Sequence, residues 1–280
     1  MTEFLTLLRW ELKRLCLRPR TWLPFGICLC VEFSVSLLLK LPEVRATIAR
    51  DIWKMRTNWT EVFSGLTTAT HLLGETFTVG GVLGLALVAA GSVAGEREQG
   101  VLRMVFSRPV SRSRLFAVKC LTCLLYTTLL VLFIGASTLA TGLVFEGAGP
   151  LLMLAPHEGV MGSFSFASGL QRYGLAVALL WFSAVSGMLS FLFISTLPMK
   201  PAAAIVLALA LYTTDNLLRT APETVIARPY CVTTRLLSWR QVFNDEIPWA
   251  RIRRNYRELA LLDAAFLVAA WYAFRRADWR

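Results

Sequence analysis

"VAGEREQGVLRMVFSRPVSRSRLFAVK", residues 93–119, is a charged island in an oily chain. It holds Glu96 and Glu98 with five arginines and Lys119, whereas 77–94 before it and 120–145 after it carry no charged residue. Composition decides what solvent surrounds such an island. Of 280 residues, 56% are hydrophobic and 17% charged, and the mean hydropathy is +0.57. Soluble domains are roughly 45–50% apolar. A soluble core has no room for the excess, so the uncharged runs read as lipid-buried and the island as an aqueous loop between them.

Working outward, six runs qualify as spans: 22–41, 77–94, 120–145, 173–199, 201–218 and 259–274. A helix needs about 20 residues to cross a hydrocarbon core of ~30 Å. Lipid offers the backbone no hydrogen-bond partners, so the runs are helices. The first holds Glu32, the fifth Asp215, and the last is short and holds Asp263. The expected fold is an all-α membrane protein of six transmembrane helices in a single domain, 1–280. With the N-terminus inside, 15 Lys/Arg fall on 56 inner residues and 14 on 104 outer ones. This bias places both termini and the island in the cytoplasm. The basic run "RIRRNYR", 251–257, pulls the other way, and a re-entrant element within 219–258 would accommodate it.

The flanking segments complete the layout. In residues 1–20, Phe4, Leu7, Leu8, Leu12 and Leu15 form a helical stripe with Glu3, Glu11, Lys13 and Arg14 off it, which reads as an interfacial amphipathic helix ended by Arg18-Pro19-Arg20. The outer segment 40–76 holds Trp53, Trp59 and the sequon Asn58-Trp59-Thr60. Residues 146–172, rich in Gly, Ser and Pro, read as a loop. In 219–258, Val232, Leu236, Trp239 and Phe243 keep helical spacing before a break at Ile247-Pro248-Trp249. Pro198–Pro201, with Lys200, makes the fourth and fifth spans antiparallel neighbours. Gly80-x-x-x-Gly84 and Gly91-x-x-x-Gly95 offer small faces for close helix packing. The six cysteines form no disulfide pattern, and Cys120-x-x-Cys123 reads as a pair of small hydrophobes.

Within the loop 95–116, Glu96, Arg97 and Glu98 are expected at a helix N-terminus, where carboxylates meet the positive end of the dipole. Val101, Leu102, Val105 and Phe106 give a short apolar face, and Pro109 ends the helix. Such a helix either docks into a groove of a soluble partner or is a solvated linker. The run "AGEREQGVLRMVFSRPVSRSRLFAVK" resembles the inner loop of permease subunits of type-2 ABC exporters. Glu96, Glu98, Gly100, Leu102, Ser107, Pro109, Val110, Ser111, Arg112 and Lys119 carry the likeness, while Val101 and Arg103 depart from it. The six-span layout, the N-terminal helix and the closing Phe274-Arg-Arg-x-Asp278 are similar too.

That resemblance implies a cytoplasmic coupling helix between the second and third spans. It implies that Glu96, Arg97, Glu98, Gly100, Leu102, Val105, Phe106 and Pro109 dock an ABC ATPase subunit, present in two copies. It further implies a second permease subunit, as homo- or heterodimer, in the inner (plasma) membrane among lipid. ATP and Mg would sit on the partner ATPase, with no cofactor on this chain and no nucleic acid among its partners.

The residues agree with that division of labour. No G-x-x-x-x-G-K-[ST] loop and no Gly-Lys dipeptide occurs, so the chain lacks that means of cradling ATP. His71, Glu75 and His157 have no convergent partners in sequence for metal or nucleophilic chemistry, so no enzyme is expected. Acids inside a membrane are costly unless paired or facing a path. Glu32 is therefore a candidate substrate-path residue. Glu32, Asp215 and Asp263 together define an alternative, a proton-coupled secondary transporter, and a membrane scaffold or sensor is a third reading.

Overall fold

The computed structural model describes residues 2–53, 63–107, 111–155, 160–221, 226 and 228–277. Asn58–Thr60, Pro109, Val110, His157 and Asp278 lie outside the described residues. Helix α1, Thr2–Leu17, ends at Arg18, and Pro19 opens α2, Pro19–Lys40, at the position where a missing N–H costs nothing. Helix α3, Pro42–Trp53, follows. Helix α4 runs from Gly65 to Glu98 and α5 from Val101 to Phe106. Helix α6 spans Arg112–Glu146. Strands β1, Leu151–Ala155, and β2, Val160–Phe164, lead to α7, Phe166–Thr196, and α8, Pro201–Thr220. A short α9, Val232–Leu236, continues as a 3-10 turn over Leu237–Phe243, and α10 is Trp249–Arg276.

Five of these helices, α2, α4, α6, α7 and α8, are long and apolar enough to cross a membrane. Several such helices in one chain make this an all-α, membrane-embedded protein. The sixth expected span is part of α10, which is 28 residues long. Its apolar portion is confined to 259–274 and interrupted by Asp263, so it falls short of the other five in apolarity.

Helix α4 is the central element. Leu66, Ala69, Leu73, Leu85, Ala89 and Val93 lie along its length and are fully buried. Helix α8 is peripheral: it buries only Ala204 and Ala208 and leaves Val206, Leu211 and Leu217 exposed, a face suited to lipid. Gly80 and Gly84 serve intramolecular packing. A Cβ on Gly80 would lie 2.5 Å from Cys28 Sγ, and one on Gly84 would lie 2.9 Å from Pro24 Cβ, so α2 sits directly against α4. Gly91 and Gly95 have no comparably close neighbour. None of the six cysteines forms a disulfide.

Three sequence expectations are corrected. Helix α4 begins at Gly65, well before residue 77, because its threonines hide their polarity. Thr70 Oγ1 donates to Leu66 O at 2.8 Å, and Thr67 Oγ1 accepts the β1 N–H of Leu152 at 2.9 Å. Residues 146–172 hold an antiparallel hairpin rather than a loop, with Leu151 opposite Phe164 and Ala155 opposite Val160. Its own Leu151, Met153 and Val160 are buried. Finally, the basic run 251–257 is helical and continuous with the last apolar segment, so α10 starts at Trp249, directly after the Ile247-Pro248 break. Trp239 and Phe243 are buried as their spacing implied, on the 3-10 turn.

Candidate functional site

The charged island folds as two pieces at one end of the bundle. Ala94–Glu98 is a short helical turn that closes α4 after a break at Val93, and Glu96 stands in its first turn, as its charge implied, while Gly100 parts this turn from α5. Glu96 is only 2% exposed, and what holds it there is a cation rather than a helix dipole.

That cation is Lys119, in the second turn of α6 and 1% exposed. Its Nζ stands 2.5 Å from Glu96 Oε2 and 3.0 Å from Glu11 Oε1 of α1. Arg14, one helical turn beyond Glu11, places Nη1 2.8 Å from Glu96 Oε1, and its Nη2 donates to Gln99 Oε1 at 3.4 Å. Arg18 lies 3.8 Å from the same Glu96 oxygen. A cavity of about 280 Å3 opens beside this cluster. Two acids and three bases thus tie α1, α4 and α6 together where the apolar helices end. Buried ion pairs hold only when every member is matched.

Gly100, at φ +69°, turns the chain from α4 into α5. L-residues with a Cβ pay roughly 1–2 kcal/mol in the left-handed region. Gly100→Val is expected to cost about that much, read as a lower unfolding temperature of the purified chain, while Gly100→Asn stays close to wild type.

The underside of α5 is anchored. Leu102 is 1% exposed, Val105 and Phe106 are half-buried, and the Phe106 ring lies 6.3 Å from that of Phe274 in the last turns of α10. Arg112 covers Phe106 at 5.4 Å and donates from Nη1 to the carbonyls of Arg275 at 2.7 Å and Ala277 at 2.9 Å, closing the C-terminus of α10. Arg97 reaches the other way, donating to the Leu197 carbonyl at the turn between α7 and α8. Helix α5 is thus held from below by α6 and α10 through Phe106. Its outer side exposes Arg103 and Met104, the latter at 65%, beside exposed Glu98, Gln99 and Ser107.

Of the residues expected to dock a partner, Glu98 is exposed, whereas Glu96 and Leu102 are turned inward and offer no surface. Arg97 and Phe106 are engaged with the chain itself, and Pro109 lies outside the described residues. Arg103 and Met104 take the outward place. Glu11 was missed because it lies on the polar side of the α1 stripe, and nothing in a helical projection distinguishes a solvated acid from one matched to a lysine 108 residues away.

The family relationship covers most of this arrangement. A family model described as "Protein of unknown function (DUF2705)" matches residues 65–280. The chain belongs to the DUF2705 family. No curated protein and no solved structure matches it. The DUF2705 match opens on the first residue of α4 and includes Glu96, α5 and Lys119, while Glu11 and Arg14 lie in the region before it.

The acids inside the apolar helices have local partners. Glu32, with no exposed surface, accepts Ser137 Oγ at 2.7 Å and Thr141 Oγ1 at 3.2 Å from α6. Asp215 accepts the backbone N–H groups of Val232 at 3.2 Å and Thr233 at 2.6 Å, satisfying the first turn of α9. Asp263 accepts Ser186 Oγ at 2.6 Å. His71 and Glu75 lie on an exposed face of α4, and no group of three metal-ligating side chains occurs among the described residues.

Proposed function

We propose that this chain is the permease subunit of an ATP-driven ABC exporter, with α5 as the helix that receives force from a separate ATPase subunit. The observation that carries the reading is mechanical. Helix α5 buries Leu102 and packs Phe106 against Phe274 of α10 and Arg112 of α6, yet it turns Arg103 and Met104 outward. A push on that outer side has no slack to take up. Leu102 transmits it into the core, and the Glu11–Lys119–Glu96 cluster passes it jointly to α1, α4 and α6. A short apolar-and-basic helix face of this kind suits a groove on a soluble protein.

In this reading α10 completes six spans, both termini and α5 are cytoplasmic in the plasma membrane, and two copies of the permease meet two ATPases. ATP and Mg act on the ATPase, and outward substrate movement follows rocking of the permease halves. Because Glu32, Asp215 and Asp263 each have hydrogen-bond partners that account for their placement, the permease reading is favoured over a proton relay through them.

The test uses an affinity-tagged chain purified from its native membranes. The wild type should bring down a polypeptide with a Walker-type phosphate loop and ATP hydrolysis activity. Met104→Asp with Arg103→Glu should abolish that association without changing the unfolding temperature. Undiminished recovery of the ATPase by the double variant would refute the docking role.

A further inference from the structure

At the opposite end of the bundle from α5 lies a cavity of about 710 Å3 that the permease reading does not use. Its volume falls within the range of roughly 300–1,000 Å3 typical of small-molecule sites. Arg219, Arg228, Arg235, Arg240, Arg251 and Arg254 line it. Glu258 is the one carboxylate among the described lining residues, and it pairs with Arg235 at 2.6 Å. The arginine field is strong enough that the Glu258 carboxyl is held below its usual range, first by the hydrogen bond from Arg235 and then by the charges of Arg235, Arg254 and Arg257.

These arginines come from separate elements that converge. Arg219 closes α8, and Arg228 lies in the 3-10 turn Arg228–Tyr230. Arg235 and Arg240 belong to α9 and its extension. Arg251, Arg254, Asn255 and Glu258 recur at helical spacing along one face of α10. Like charges gathered this closely repel and destabilise unless something of opposite sign joins them. All eight basic residues in 219–258 are arginine and none is lysine. Arginine suits bidentate binding of oxyanions and is more weakly hydrated than an ammonium group, which favours partly buried sites.

Two lining atoms say what is absent. Among the described residues, buried Arg228 Nε has no hydrogen-bond acceptor and buried Gln241 Oε1 has no donor. A ligand presenting an oxyanion beside a hydroxyl satisfies both. Depth adds a third constraint. Arg219 is in the last turn of a helix of membrane-crossing length, and Glu258 immediately precedes the apolar stretch 259–274, so the cavity sits where apolar helix surface gives way to polar. Arginines at that level are within reach of lipid headgroup phosphates, which their planar guanidinium groups bind well.

We propose that this cavity binds a phosphate ester carrying a neighbouring hydroxyl, from either an anionic lipid headgroup or a soluble phosphate compound. The site stands independently of whether an ATPase docks at α5. The full chain is reconstituted in phosphatidylcholine nanodiscs, and uptake of fluorescent phosphatidylglycerol is compared with that of labelled phosphatidylcholine, with and without glycerol 1-phosphate as competitor. The wild type should prefer phosphatidylglycerol, and Arg251→Gln with Arg254→Gln should weaken that preference about tenfold, as expected for lost charge-assisted contacts. Both arginines are exposed, so the variant should unfold at the wild-type temperature. Arg228→Gln supplies an independent loss at the buried Nε. Preference that glycerol 1-phosphate fails to displace assigns the site to lipid, and displacement assigns it to soluble phosphate esters. Absence of preference in the wild type, or preference unchanged in both folded variants, would overturn the proposal.

Discussion

Lys119→Met is expected to lower the unfolding free energy by about 3–5 kcal/mol, the usual cost of removing one partner from a buried ion pair. Methionine keeps the length of the lysine stem, so packing changes little and the loss is electrostatic. Glu11 and Glu96 would remain with side chains 8% and 2% exposed, and of the two Glu96 would retain nearby cations, Arg14 at 2.8 Å and Arg18 at 3.8 Å. The cavity of about 280 Å3 beside the cluster admits water and pulls the effect toward the lower end. Chemical denaturation of the detergent-purified chain, followed by tryptophan fluorescence, reads the change. Adding Glu11→Gln and Glu96→Gln to Lys119→Met should restore part of the loss, because the two buried carboxylates are then neutral while Arg14, its side chain 19% exposed, is left without Glu96. The three substitutions are strongly non-additive for the same reason. A Lys119→Met variant as stable as wild type would mean that the cluster does not hold α1, α4 and α6 together, and the force path proposed from α5 would lose its rigid link.

How far the sequence discloses this molecule depends on the range over which each constraint acts. The middles of the apolar helices are legible because lipid tolerates no charge and no unpaired backbone, so 77–94, 120–145 and 173–199 announce themselves. Their ends are not, because outside the hydrocarbon a helix is free to continue on polar residues. Helix α6 begins at Arg112, eight residues before its apolar run, with Ser111 Oγ accepting Arg114 N at 3.3 Å to cap it. Helix α4 gains its first three turns from threonines that a composition window reads as polar. The hairpin is hidden by its shortness: the five apolar residues of β1, between Gly149-Pro150 and Pro156, do not separate a strand from a loop. At the candidate site, the position of α5 was legible from its flanking spans and from Gly100, but its orientation was not. Which of Glu96 and Glu98 turns inward depends on Lys119 and Glu11, partners set by tertiary packing alone.

A second large effect is expected where α4 starts and α6 ends, at a crossing so close that backbones touch. A Cβ built on Gly142 would collide with the carbonyl oxygen of Gly65 and lie 2.9 Å from Ala69 N; one on Gly65 would collide with the Gly147 carbonyl and lie 2.9 Å from that of Gly142. Gly65 N also donates to Gly147 O at 3.0 Å, so the contact is hydrogen-bonded as well as tight. Neither glycine belongs to a Gly-x-x-x-Gly pair. Gly65-x-x-x-Ala69 and Thr138-x-x-x-Gly142 are the looser small-residue patterns that mark this crossing. Gly142→Val should therefore cost about 1–3 kcal/mol or more, since the obstacle is backbone and cannot rotate away. Gly174→Ala is the control: it lies within α7 with nothing within 4 Å of its built Cβ, and should gain up to about 1 kcal/mol from helix propensity. Opposite signs for two glycine substitutions in apolar helices, measured by the same denaturation, separate close backbone approach from a general need for glycine. Equal effects would deny that the α4–α6 crossing is the tight one. The stakes reach the other end of the bundle, because α4 and α6 are the two helices that α5 joins, and their spacing at Gly65 and Gly142 fixes the pivot about which a force on α5 would act.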